Sequence, residues 1–308
     1  MRYRARDTHG QATVLTVVFL TVLLGMCALV LDVGSWYRAK RAAQSTADAA
    51  ALAGAQVLPY DTGGAKTLAV QYAGKNGGGL AGGDVTISNG VGANDTINVH
   101  VRGNANGIFT KLFGINRVNV GATASARSNL MSQAKYVAPI GVNLKHPKLK
   151  GTSSCPCFGS QNTTTLPLGK TGAPGAFDLI NVDGSRGGTG PSTLSDWVLH
   201  GLNSYMPLGN YYSDTGAKWN SSQISSALDQ RMGTELLFPV YDTLTGNGAN
   251  AVYHVVGWVG FHLTAHEEHG NTGSLTGWFT DVVWDGIDAT SSNGSIPDLG
   301  ARVVKLVG

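Results

Sequence analysis

Charge is scarce in this chain. Asp, Glu, Lys and Arg make up 13% of its 308 residues, about half of the usual ~25%. Glu occurs three times, as Glu235, Glu267 and Glu268. Exposed helices built on Glu–Lys pairs are therefore not expected along most of the chain, and a long coiled coil is excluded. Cys is nearly absent: Cys27, Cys155 and Cys157 are the whole set, too few for a four-cysteine metal framework. No G-x-S-x-G elbow, no phosphate loop ending in Lys-Ser/Thr and no complete calcium loop occurs. No second long apolar run follows the one near the N-terminus.

What is abundant is Gly, with 43 residues against 42% apolar and 8% aromatic residues. The apolar share supports a core and excludes wholesale disorder. The glycines follow no three-residue period, which excludes collagen. Such a composition indicates a loop-rich, β-rich globular chain, and the length allows about two domains.

Charge is also unevenly placed. Residues 1–58 hold Arg2, Arg4, Arg6, Arg38, Lys40 and Arg41 against Asp7, Asp32 and Asp48. That difference, 6 − 3 = +3, is the whole net charge, because residues 59–308 hold sixteen groups of each sign. The body is neutral, so the basic surface that nucleic acid requires is missing and no nucleic-acid partner is expected.

Ala12 to Leu31 runs twenty residues without a charge. A helix of ~20 apolar residues spans the ~30 Å hydrocarbon core of a bilayer. Asp32, Trp36, Tyr37 and Arg38 follow it and are expected at the membrane interface, where amphipathic rings and cations settle. A secretory signal has a shorter apolar stretch and a small-residue cleavage site, and the sequence DVGSWYRAKR is a poor one. The positive charges flanking the span nearly balance. The neutral body, rich in Gly, Asn, Thr and Ser, suits export, so the N-terminus is expected to be cytoplasmic and the body external.

Helical composition continues past the membrane. Residues 38–58 contain nine Ala and no Pro, a strong helix-forming mixture, and Pro59 is expected to end the helix. Ala47, Ala50, Ala51 and Gly54 recur at helical spacing on one face. Small residues allow close backbone approach. The stripe packs either on the protein's own head or on like helices of an assembly.

An apolar span leading into Asp32-Val33-Gly34, Tyr37-Arg38, Gln44 and the run Ala47 to Ala55 resembles the TadE/TadG-like family of Flp-pilus (Tad) assembly proteins. The resemblance covers about 50 residues. A looser likeness continues through Tyr72-Ala73, Asn76-Gly77, a strand near 95–102, Phe109 to Phe113-Gly114 and Ala122 to Ala126. It implies a single-pass envelope protein of a pilus or secretion apparatus, with the membrane and other assembly proteins as partners, and not an enzyme. Type IV-type prepilins are cut after a Gly with Glu five residues beyond. After Gly10 that position is Leu15, which implies an anchor that is not cleaved.

Periodicity divides the rest into a small α+β head at 59–130 and a mainly β outer domain at 131–308, so the chain as a whole reads as α+β. In the head, Thr62–Lys75 is expected to be a helix, 84–88, 96–102 and 117–126 strands, and 108–113 a short helical turn. Beyond it, 144–175 reads as a long surface loop, 177–182 as a strand, and 194–202 and 222–231 as helices, the latter capped by Ser221 or Ser222. Strands are expected at 235–242, 252–264, 275–283 and 303–307, with a hairpin loop at 265–274.

Three clusters carry polar chemistry. His262, His266, Glu267, Glu268 and His269 lack the H-E-x-x-H spacing of a zinc protease and read as a solvated loop at the hairpin tip. Cys155 and Cys157 flank Pro156. A disulfide, free thiols and a metal site are all open, although the first is geometrically tight. Asp281, Asp285 and Asp288 read as surface acids. No catalytic, cofactor-binding or metal residue is assigned. Besides the pilus component, a surface binding module or adhesin-like protein and a membrane-anchored hydrolase are the alternative functions.

Overall fold

The computed structural model describes residues 9–151, 155–168, 179–214, 219, 221–246, 250–269, 272–289 and 296–308. The fold is α+β, with a long N-terminal helix and a mainly β C-terminal region. Two compact units divide it. One holds residues 1–90, 94–127 and 305–308, and the other holds 91–93 and 128–304.

The first unit begins with α1, His9–Ala55. At 1.5 Å per residue this helix is roughly 70 Å long. Its first half is exposed: Leu15, Phe19, Leu24 and Leu29 each keep more than half of their surface. An 18-residue window of α1 has a mean hydropathy of 2.8 and none of its residues buried. Its last turns are the opposite, with Ala47, Ala50, Ala51 and Ala55 fully buried. The helix stops at Ala55, three residues earlier than Pro59 alone dictates. A turn over Gln56–Tyr60 intervenes, and then Asp61 caps α2 (Thr62–Lys75) by accepting the Gly64 N–H at 2.7 Å.

α2 presents Ala65, Ala69 and Ala73 inward. β1 (Val85–Ser88), β2 (Thr96–Asn106) and the first part of β3 (Arg117–Ala134) form an antiparallel meander. Ile97, Val99 and Val101 face the core at the expected period of two. A single turn of 3-10 helix, Thr110–Phe113, joins β2 to β3. Gly114 closes it at φ +83°, where a Cβ would be strained.

In the second unit a six-stranded sheet has the order β4 (Val142–Asn143), β8 (Glu235–Thr245), β9 (Val252–His269), β10 (Thr272–Thr280), β5 (Thr164–Leu168), with β7 (Gly209–Tyr212) also on β9. The end of β3, from Met131 to Ala134, pairs β6 (Met206–Pro207) and β12 (Gly286–Asp288), while β11 (Val282–Val283) runs parallel to β13 (Ala301–Leu306). Helices α3 (Pro191–Leu199) and α4 (Ser222–Arg231) bury Leu194, Trp197, Ile224 and Leu228. Ser221 caps α4 through the Ile224 N–H. The core centres on Phe238, Phe261 and Phe279, with ring centroids 5.3 and 5.4 Å apart.

Two expectations change here. The region 144–175 is not all loop, since it carries a 3-10 turn at Ser160–Asn162 and the edge strand β5. Leu166 and Leu168 anchor β5 in the core, and Pro167 is tolerated because an edge strand needs no donor on its open side. The expected strand at 177–182 begins outside the described residues. Its remainder forms bridges from Leu179 to Ile140 and from Ile180 to Ser213.

Candidate functional site

Helix α1 carries two kinds of surface in one element. From Ala12 to Leu31 the side chains are uncharged, mostly apolar and, apart from half-buried Ala28, exposed. Beyond Leu31 polar groups begin to tie the helix to the β2–β3 hairpin. The Asp32 carboxylate is fully buried and accepts three consecutive backbone N–H groups: Ile108 at 2.6 Å, Phe109 at 3.1 Å and Thr110 at 2.7 Å. One ionised side chain thereby satisfies the free donors at the start of the 3-10 turn.

Further along, Lys40 Nζ donates to the Gly121 carbonyl, and Gln44 Nε2 donates to that of Thr123 at 3.1 Å. At the far end a Cβ on Gly54 would collide with Ile97 Cδ1 and lie 2.7 Å from the Ala65 carbonyl oxygen. Asp32 to Gly54 is about 33 Å of helix, and Ile108 back to Ile97 is about 36 Å of strand. The hairpin therefore lies along the helix, with its turn beside Asp32 and its base beside Gly54.

The residues expected at the membrane interface separate. Tyr37 and Arg38 are exposed and Trp36 is half-buried, with the Arg41 guanidinium 5.8 Å above the Tyr37 ring. Asp32 instead points into the protein. The small-residue stripe is covered within its own unit, where Ile97 and α2 meet it at Gly54. What the sequence did not disclose is the turn at the end of the hairpin. Leu112 and Phe113 are each 82% exposed, and Ile108 and Ile115 are about half exposed. The string IFTKLFGI was legible as a helical turn, but nothing local in it says that its apolar side chains stay uncovered.

The polar clusters of the second unit are built into strands. His262, His266 and Glu268 lie on β9, not in a loop, because that strand continues to His269. His262 Nδ1 is 2.9 Å from Glu235 and its ring stacks on Trp278. The His266 ring is 8% exposed and sits between Glu268, at 2.6 Å, and Asp229, at 3.1 Å. The solvated-loop reading is thereby corrected: a register shift between Leu263 and Ala265 puts His262 on the face of Trp278, and His266 with Glu268 on the opposite face beside Leu275, where Asp229 of α4 meets His266. The side chain of His269 lies outside the described set. Among the described residues no three His, Cys, Asp or Glu side chains converge as a metal site.

His254 pairs with Asp242 at 2.9 Å. Burial opposes ionisation of Asp242, but hydrogen bonds from His254 and Thr243 outweigh it and hold the carboxyl below its ordinary range. Cys155 and Cys157 are bonded to each other, and the Cys157 N–H donates to the Lys148 carbonyl at 3.0 Å. Of the three aspartates, Asp285 accepts the Tyr205 hydroxyl at 3.1 Å. A groove between α3 and α4 is lined by Ser192, Ser195, Asp196, Ser226 and Gln230. Ser195 donates its hydroxyl to the Ser192 carbonyl, and Asp196 holds His200.

Residues 10–57 match the Tad family, Flp pilus-assembly TadE/G-like. The match coincides with α1 and the turn that follows it, so it takes in both the exposed apolar half and the buried small-residue half. No curated protein and no solved structure matches the chain.

Proposed function

We propose that this protein, whose residues 10–57 match the Tad family, is a single-pass component of a Tad/Flp-type pilus or envelope assembly. In this reading its N-terminus is cytoplasmic and residues 59–308 are displayed on the outer side of the membrane. The observation that carries the reading is the division of α1. A twenty-residue apolar length is left uncovered by the protein, and the same helix then carries a folded head on its polar and small-residue half. An apolar face of that size needs a non-aqueous partner, and its length fits a bilayer.

The role is structural. Ala47, Ala50, Ala51 and Gly54 seat the head on the stalk, and the β-rich second unit is presented to other assembly proteins. Trp36, Tyr37 and Arg38 lie at the membrane surface.

Carbonate extraction of membranes from expressing cells, followed by N-terminal sequencing, tests the anchor. The intact chain is expected in the pellet with the apolar run still attached. A mature chain beginning between residues 30 and 60, or release into the supernatant, contradicts the reading. Affinity purification of the full chain after cross-linking is expected to recover pilus-assembly proteins.

A further inference from the structure

The uncovered turn of the β2–β3 hairpin is tied to one depth along α1. If Ala12–Leu31 fills the ~30 Å hydrocarbon layer, Asp32 is the first residue past its boundary. The backbone N–H groups of Ile108, Phe109 and Thr110 are within 2.6 to 3.2 Å of the Asp32 carboxylate, so this backbone must lie at the same boundary. The side chains that leave it are Ile108, Leu112, Phe113 and Ile115, all exposed and all apolar. They emerge where α1 passes from lipid to water.

Charge points the same way. Lys111 and Arg117 are exposed beside these side chains, and no Asp or Glu occurs between Thr96 and Phe177. The one carboxylate at the turn, Asp32, is buried and hydrogen-bonded. Long basic side chains over an apolar cluster suit an anionic lipid surface, with the stems on acyl chains and the charges at headgroup level.

We propose that the Ile108–Ile115 turn is a second membrane contact, seated in the headgroup region of the leaflet that Leu31 reaches. A helix crossing a membrane alone is free to tilt and rotate, and a second contact at a fixed height fixes both. The inference rests on the reading of α1 as a membrane span, and the experiment separates the two. Phe113→Cys, Lys66→Cys and Val18→Cys are each made in the full chain carrying Cys27→Ser and labelled with NBD. Each is reconstituted into phosphatidylcholine–phosphatidylglycerol vesicles containing lipid with a doxyl quencher either high or deep on the acyl chain. The label at 18 is expected to be quenched by deep doxyl, that at 113 by high doxyl with blue-shifted emission, and that at 66 by neither.

A label at 113 that behaves like that at 66, while 18 is quenched, overturns the second contact and leaves the span intact. A label at 18 that stays unquenched overturns the span and the contact with it. A label at 113 that is blue-shifted but unquenched shows a protein covering, such as a second copy, and also overturns the proposal. Thermal melting of the Phe113→Cys chain confirms that it is folded, as 82% exposure of this side chain leads one to expect.

Discussion

The carboxylate of Asp32 accepts the Thr110 backbone N–H at 2.7 Å across 78 residues of sequence. With the Ile108 and Phe109 N–H groups on the same carboxylate, this contact sets where the hairpin turn meets the helix. Removing the acceptor takes the carboxylate away from three part-buried N–H donors. Asp32→Ala is therefore expected to destabilise the turn. Hydrogen exchange at the 108–110 amides should rise sharply, while α4 and β9 in the second unit stay protected. Asp32→Asn keeps one oxygen and should fall between the two. Unchanged exchange at 108–110 in the Ala variant would show that the turn is held by something else.

Gly54 offers a sharper steric test. A Cβ there meets the Ala65 carbonyl oxygen at 2.7 Å, and a backbone atom cannot swing away. Overpacking of this kind costs about 1–3 kcal/mol. Gly54→Leu is expected to separate α2 from α1 and make residues 59–90 sensitive to limited proteolysis. Gly34→Ala is the matched control, because nothing lies near a Cβ at that position, and it should leave the digestion pattern unchanged. A Gly54→Leu chain with a resistant head but weakened recovery of assembly partners would move the stripe from internal packing to contacts between proteins.

His146 makes the second unit sensitive to acid. Burial, helped by the nearby Lys148 charge, lowers its pKa from 6.5 to about 4, and its ring lies edge-on to Phe279 at 5.2 Å. The folded state thus prefers the neutral imidazole. Its stabilising effect is fully present above about pH 6.5 and is lost as pH falls toward 4, because the unfolded chain takes up the proton first. Denaturant midpoints for the second unit should drop across that window. The drop should be smaller in His146→Gln, and equal slopes in the two chains would remove His146 from the account.

Much of this fold was legible because its signals are local. The helix Thr62–Lys75, the Ser221 cap and the inward phase of Ile97, Val99 and Val101 follow from composition and periodicity. What escaped depends on partners far away in sequence. β9 runs on to His269 because Leu275 and its neighbours in β10 pair with it, which makes a polar string part of a strand. β5 is five residues long with a Pro in it, and only its register against β10 defines it. At the candidate site, the place of Asp32 after the apolar run predicts a membrane-interface residue, whereas its carboxylate points into the protein. Its partners at Ile108–Thr110 were not legible, since a carboxylate hydrogen-bonded to backbone N–H groups leaves no side-chain pattern to find.

A body anchored on the outer side of the membrane is open to reagents added from outside. Lys66→Cys and Gln230→Cys, both exposed positions, are introduced singly into the full chain with Cys27→Ser. Intact spheroplasts are then treated with a membrane-impermeant maleimide. Both positions are expected to label fully before the cells are opened, and a Cys introduced at Arg4 only afterwards. Labelling of Arg4→Cys in intact spheroplasts, with Lys66→Cys and Gln230→Cys protected until lysis, would contradict this topology.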